Sequence, residues 1–446
     1  MRNILKFILA LSLALLFKLP SANAQTIHVS LAATQAGTGS AAQPFKAINS
    51  ALKKARAGDK VVVHGGTYHE KIHFPHSGRN GLPITLCNFQ SDKVVVDGSK
   101  LHVAGDMEGL LTIRNRRYLK VQGLTVQNFT SRNQQVPAGI LITGTSKGIS
   151  IKDCHVGNIA ALTKDTAQAN AHAIAIYGTS SKKPLQKITL IGNEIDHNRL
   201  GSSETVAVNG NVRQFKISKN RIHDNDNIGI DLIGYERTAA KHDYARDGVV
   251  TQNEIWNIST KDNPAYQAPS SAAIYADGAR NIKIQRNKIH KADIGIEAAS
   301  EHHGRTTKKI VIRNNLVVDC RPIAGISFGG YDKKRGKARS IRILNNTLVN
   351  NPTQILVQHY AQDSFNVIQN NIFADGKQFT GKLGKIKQKP NYTGKPHFVA
   401  PQDGDFRLEQ GSPAKNTAKL QSGLGIKDLA GKARVVNDKV SFGAYQ

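Results

Sequence analysis

The chain is 446 residues long, with 39% hydrophobic residues, three cysteines and a formal net charge of +29. Three cysteines at irregular spacing, Cys87, Cys154 and Cys320, exclude a disulfide framework and a zinc-finger pattern. A field this positive draws in polyanions, either nucleic acid or acidic polysaccharide.

Residues 1–24 read as a secretory leader. Arg2 and Lys6 supply the basic start, Ile8 to Phe17 the apolar core, and Ser21-Ala22-Asn23-Ala24 the small-residue cleavage site. No later apolar run is long enough to span a membrane. The product is expected outside the cytoplasm, secreted or periplasmic. Residues 25–60 are expected to form an N-terminal cap. Within them, Phe45, Ile48, Leu52 and Ala55 mark one face of an amphipathic helix that ends near Gly58 and covers an otherwise open first coil.

From residue 61 to 373 one short phrase keeps returning: apolar, any, apolar, two residues, Asn, any, apolar. It reads Ile188-Leu190-Asn193-Ile195, then Phe215-Ile217-Asn220-Ile222, and it recurs around Asn253, Asn287, Asn315 and Asn346. The last copy is read as Phe365-Val367-Asn370-Ile372, and Leu124 and Cys154 hold the Asn slot in two earlier copies. A period of roughly 30 residues built from strand-like alternation is the mark of a stacked solenoid. Each phrase is taken as one strand. Its Asn is expected to occupy a left-handed turn and to bond through its amide to the next coil. A second strand line precedes the phrase, running through Ile140-Leu141-Ile142, Ile174-Ala175-Ile176, Val206-Ala207-Val208, Ile230-Asp231-Leu232, Ile274-Tyr275-Ala276, Ile296-Glu297-Ala298, Ile326-Ser327-Phe328 and Ile355-Leu356-Val357. The fold expected is all-β, a right-handed parallel β-helix of roughly eleven coils. Residues 374–446, richer in Gly, Lys and Pro, should cap the far end or fold back along it.

The run Gly37-Thr38-Gly39, Gln43-Pro44-Phe45, Gly58-Asp59, Gly65-Gly66-Thr67-Tyr68 and Glu70 resembles the opening of right-handed parallel β-helix proteins of the pectate-lyase-like fold. Chondroitinase-B-like and alginate lyases, pectate lyases and mannuronan epimerases share that fold. The run Gly404-Asp405-Phe406-Arg407-Leu408, Gly411-Ser412-Pro413-Ala414 and Gly443-Ala444-Tyr445 is similar to their usual ending. The resemblance implies an exported protein that acts on an acidic polysaccharide. The fold hosts lyases, hydrolases, epimerases and adhesins, so the reaction has to come from the site. The epimerase motif Asp-Pro-His-Asp is absent, and no lyase family's catalytic Lys and Arg maps onto this chain residue by residue.

Alternation along the second strand line turns Asp231, Tyr275 and Glu297 outward on successive coils, with Asp277 two residues beyond Tyr275. One exposed carboxylate on a solenoid usually faces water. Three together on a basic chain point to a site. Asp231, Asp277 and Glu297, with Glu301 or Glu236 in reserve, are hard-oxygen ligands suited to Ca²⁺. Following loops bring His302, His303 and Lys333 as candidate bases, with Tyr275 as acid or second base. Arg305 or Arg246 would bind the substrate carboxylate. Tyr235, Tyr331, Arg335 and His359 complete the binding candidates, as aromatics that stack on sugars and cations that pair with uronate or sulfate. β-Elimination on a uronic-acid polymer is the reading adopted, by a monomer without nucleic-acid partners. Inverting hydrolysis, C5 epimerisation and non-catalytic polysaccharide binding remain open beside it.

Overall fold

The computed structural model describes residues 24–33, 37–266 and 268–446; the expected leader lies outside them except for Ala24. The chain winds through three long parallel sheets. Sheet A has thirteen strands, sheets B and C eleven each. One coil runs Ala272–Asp277 in sheet C, Arg280–Gln285 in sheet A and Lys288–Ala292 in sheet B, before Ile294–Ala299 starts the next in sheet C. Inward residues of that coil, Ile274, Ala276, Ile282, Ile284 and Ile289, are at most 1% exposed and belong to one continuous core.

The repeated phrase is therefore two strands rather than one. Its first half lies in sheet A, its last apolar residue in sheet B, and the Asn stands at the corner between them. The left-handed turn falls one residue earlier than expected. Gly192, Lys219, Gln252, Arg286, Asn314 and Asn345 all have φ between 52° and 69°. This leaves each ladder Asn free to aim its amide along the solenoid axis. The Oδ1 of Asn220, Asn253, Asn287, Asn315 and Asn346 each accepts the backbone N–H and the side-chain Nδ2–H of the Asn one coil before, at 2.9–3.0 Å. The second amide proton goes to a backbone carbonyl, as from Asn253 to Ile217. Cys154 N–H starts the ladder by donating to Asn193 Oδ1 at 3.0 Å.

At the far end the sequence register is corrected by one residue. Asn371, not Asn370, accepts from Asn346 and passes the ladder on to Asn391. Strand pairing places Ile368 opposite Ile343, so Val367 faces outward and Phe365 is 55% exposed. A slip of one residue exchanges the faces of a strand, and the Asn370-Asn371 pair allowed either reading.

The helix spans Ile48–Lys54, with Ile48, Ala51 and Leu52 buried against the first strands. Its first two N–H groups donate to the Glu70 carboxylate at 2.6 and 3.0 Å. After Lys377–Thr380 and Lys387–Gln388 join sheets C and A, the tail turns back. It packs Phe406, Leu408, Phe442 and Tyr445 on Leu316, Val349 and Ile372 of the last coils. Cys87, Cys154 and Cys320 are free and buried. No helix among the described residues is long and apolar enough to cross a membrane.

Replacing Asn253 with alanine removes the acceptor for two protons of Asn220 and the donor to Ile217. Urea unfolding should show a loss of about 3 kcal/mol, from several buried groups left unpaired. A loss below about 1 kcal/mol would mean that the ladder is decorative.

Candidate functional site

Parallel pairing of sheet C puts Ala207, Asp231, Tyr275, Glu297 and Ser327 opposite one another on successive coils. Asp231 and Glu297 flank Tyr275 at roughly 4.8 Å per coil. The outward face is not open to water, however. Asp231, Tyr275, Asp277 and Glu297 are each at most 8% exposed, because corners and loops close over them.

A cavity of about 570 Å³ opens beside this row, lined by Tyr275, Glu297, Glu301, Tyr331 and Arg335 of the expected residues, and by Asn227, Tyr266 and Gln358. A second hollow of about 590 Å³ holds Tyr235, His302, His303 and Arg305 with Tyr244 and Arg280. The two approach each other at Asp277. Its Oδ1 accepts the Glu301 N–H at 2.8 Å, and its carboxylate forms a tight group with Glu236 and His302. His302 Nε2 lies 2.6 Å from Glu236 Oε1. Arg335 is the cation at the rim of the first cavity. Its guanidinium donates to the Glu301 carbonyl at 3.2 Å and to the Tyr331 hydroxyl.

Three expected residues stand apart. Arg246 is bound to Asn211 Oδ1 at 2.8 Å and lies behind the Tyr244 ring, outside both hollows. Lys333 is an exposed residue of the loop after Gly330 whose carbonyl accepts from Tyr360, and His359 is exposed beside that same tyrosine. Neither lines either of these two hollows. Both follow strands of sheet C in sequence, but they stand on the outer surface of their segments.

Glu204, His172 and Tyr177 were missed. Glu204 stands at the corner entering the sheet C strand Val206–Gly210, where alternation along the strand no longer predicts direction. The His172 ring is 1% exposed, and its Nδ1 donates to the Glu204 carbonyl at 3.0 Å. Nε2 then accepts from the Tyr177 hydroxyl at 3.1 Å, so the neutral tautomer is fully engaged. Burial lowers the imidazole pKa to about 4, which keeps it uncharged.

The electrostatics are unusual for so basic a chain. Burial raises the pKa of Asp231 well above the ordinary carboxylate range, and the neighbouring Glu204, Asp277, Glu301 and Glu297 raise it further. Asp277 is raised for the same reasons, Glu204 chiefly by burial, and Glu297 by burial and Glu301 to about 7. The Tyr275 hydroxyl is pushed up by burial and by these carboxylates. Every charge acting on Asp231 is another carboxylate, and its buried Oδ1 has no hydrogen-bond partner among the described residues. A cluster of this kind either holds extra protons or holds a cation.

Comparison with known proteins bears on the fold. The model of the right-handed β-helix region matches residues 112–373, and that of the Pel9A-like right-handed β-helix region matches residues 27–196. The uncharacterised protein YwoF of Bacillus subtilis is 38% identical over 394 residues, covering 85% of this chain and 81% of YwoF. Pectate lyase Pel9A superposes with a TM-score of 0.61 at 12% identity, over 95% of this chain and 96% of its own. The lacto-N-biosidase of Eubacterium ramulus superposes with a TM-score of 0.54 at 13% identity, over 82% of this chain and 67% of that one. A lyase and a hydrolase thus share the architecture, and at such identities the likeness speaks for the fold alone. On the match across its central coils and the kinship with YwoF, the chain belongs to the right-handed β-helix family.

Proposed function

We propose that this protein is an exported enzyme that cleaves a uronic-acid-containing polysaccharide by β-elimination in the groove along sheet C. The observation that carries this reading is the row of buried carboxylates without a balancing lysine or arginine, set in a chain of net charge +29. A polyanion is drawn to the basic surface, yet meets acidic groups at the centre. Those two facts agree if a cation stands between them.

The donor set suits a hard divalent ion. Asp277 is the centre: its carboxylate, that of Glu236 and the His302 ring have donor atoms within 4.8 Å of one another, and Asp231, whose Oδ1 has no hydrogen-bond partner among the described residues, stands on the coil before. Ca²⁺ held there would supply positive charge against the substrate carboxylate and make the C5 proton more acidic. The chain's own residues do the rest. Arg335, at the cavity rim, pairs with a uronate carboxylate. Tyr266 and Tyr331, 47% and 55% exposed, offer ring faces for sugar. Tyr275, between Asp231 and Glu297, is the hydroxyl placed to move a proton at C5 or O4.

A second reading rests on Glu297. A carboxyl held to about 7 is protonated near neutral pH and can act as a general acid. Asp231 lies two coils away, about 9.6 Å. That is just beyond the roughly 6.5–9.5 Å separation used by inverting hydrolases.

Incubation with alginate, polygalacturonate, hyaluronate, dermatan and chondroitin sulfates and heparin should raise the far-ultraviolet absorbance of an unsaturated uronate on one polymer, with loss under chelator. Flat traces with release of reducing ends would replace elimination by hydrolysis. Tyr275→Phe should lower kcat about 10²–10⁴-fold. The Asp231→Asn, Glu297→Gln double variant should lose all detectable turnover, and full activity in that folded variant would refute the site.

Stability supplies an independent check. The Glu297 carboxyl is raised in the folded chain from 4.5 to about 7. Its contribution is complete below the unfolded value and is lost as pH rises through about 7. Under chelator, the wild type should lose up to about 3 kcal/mol relative to Glu297→Gln between about pH 5 and about pH 8. Ca²⁺ should restore Tm more at the higher pH. Parallel pH profiles, with no calcium effect, would show that the cluster neither titrates nor binds the ion.

A further inference from the structure

A different group of ionisable side chains lies on sheet B, away from the groove. Gly157, Asp196, His223, Trp256 and His290 occupy one outward position on successive coils. Beside them run His155, Glu194 and Arg221. Asp196 is the centre. His155 Nε2 is 2.9 Å and His197 Nδ1 3.4 Å from its Oδ1, and His223 Nε2 is 3.7 Å from its Oδ2. His223 Nε2 is also 3.3 Å from Glu194 Oε1.

The orientation of His223 is dictated from behind. Its Nδ1 lies 2.7 Å from Asp224 Oδ2, and Asp224 Oδ1 is in turn held by the Asn257 amide at 2.8 Å. A carboxylate can only accept, so Nδ1 carries the proton. In the neutral ring Nε2 then presents a lone pair to two carboxylates, an arrangement that repels unless something positive lies between. The ring plane is clamped as well, stacked on Trp256 at 4.1 Å and 10°. A carboxylate behind an imidazole whose other nitrogen faces further acidic ligands is the support that metal-binding histidines use. Gly157 makes the room. A Cβ there would come within 2.8 Å of Asp196 Oδ1 and 3.2 Å of His155 Nε2.

We propose that Glu194, Asp196 and His223 form a site for a divalent transition-metal ion of the zinc class, which ties two adjacent coils together across sheet B, with His155 holding Asp196 from the coil before. The donor atoms of Glu194, Asp196 and His223 lie within 4.8 Å of one another. Mixed imidazole and carboxylate donors favour Zn²⁺, Ni²⁺ or Co²⁺ over Ca²⁺. Arg221 pairs with Glu194 Oε1 at 2.9 Å and lies over Trp256. Its side chain is 56% exposed and can swing aside, and Glu194 keeps its second oxygen.

Trp256, the only tryptophan in the chain, is a built-in reporter. Untagged, chelator-treated protein would be titrated with Ni²⁺ and Co²⁺ by fluorescence and with Zn²⁺ by calorimetry. Saturable quenching, one Zn²⁺ per chain, displacement of Ni²⁺ by Zn²⁺ and indifference to excess Ca²⁺ are expected. Asp196→Asn and His223→Gln should weaken Zn²⁺ binding at least tenfold, and Asp224→Asn about 10–100-fold through loss of ring support. Glu194→Gln, at a half-buried position, tests the same site if any of those variants fails to fold. Binding unchanged in the folded variants, or quenching that never saturates, overturns the proposal.

Discussion

Register between neighbouring coils is the constraint on which everything else in this molecule depends. Parallel strands a coil apart place like positions above one another, and the Asn ladder holds that alignment at one corner with two hydrogen bonds per step from inside the wall. A slip of one residue anywhere would turn the isoleucine rows outward and the polar rows inward. Because the corner amides have no water to fall back on, such a slip would also leave buried donors and acceptors unpaired. Stacking therefore acts as a template: whatever stands outward on one coil meets its counterpart on the next.

That template concentrates charge. A single aspartate on a strand is an ordinary surface residue, but Asp231, Tyr275 and Glu297 become neighbours only because their strands are adjacent. Loops from the same coils then cover them, and burial does to the carboxylates what water would have prevented. The sheet B group follows the same logic in a more open setting. Asp196 and His223 are in register, and a glycine one coil away leaves space for them. Two faces of one solenoid thus each carry a close group of carboxylate and imidazole donors.

Strand periodicity made the solenoid, the number of coils and the vertical row of Asp231, Tyr275 and Glu297 legible, since alternation along a strand and equivalence between coils are both local patterns. The tandem Asn370-Asn371 defeated it, because both frames satisfy the same phrase and only pairing with the preceding coil chooses. Glu204 and His172 were invisible for another reason. They lie where strands begin, and direction there is set by the corner rather than by alternation. Lys333 and His359 follow the right strands in sequence, but neither lines either hollow.

The amino-acid sequence by itself determined the fold, since a repeat that buries one face of every strand has few ways to stack, and it determined which side chains share the outer face of each coil. Only the tertiary structure decided that those carboxylates are covered, that Arg335 rather than Arg246 reaches the cavity, and that His223 is braced by Asp224. Loop paths set these outcomes. Each path depends on packing against coils far away in the sequence, and no local pattern encodes that packing.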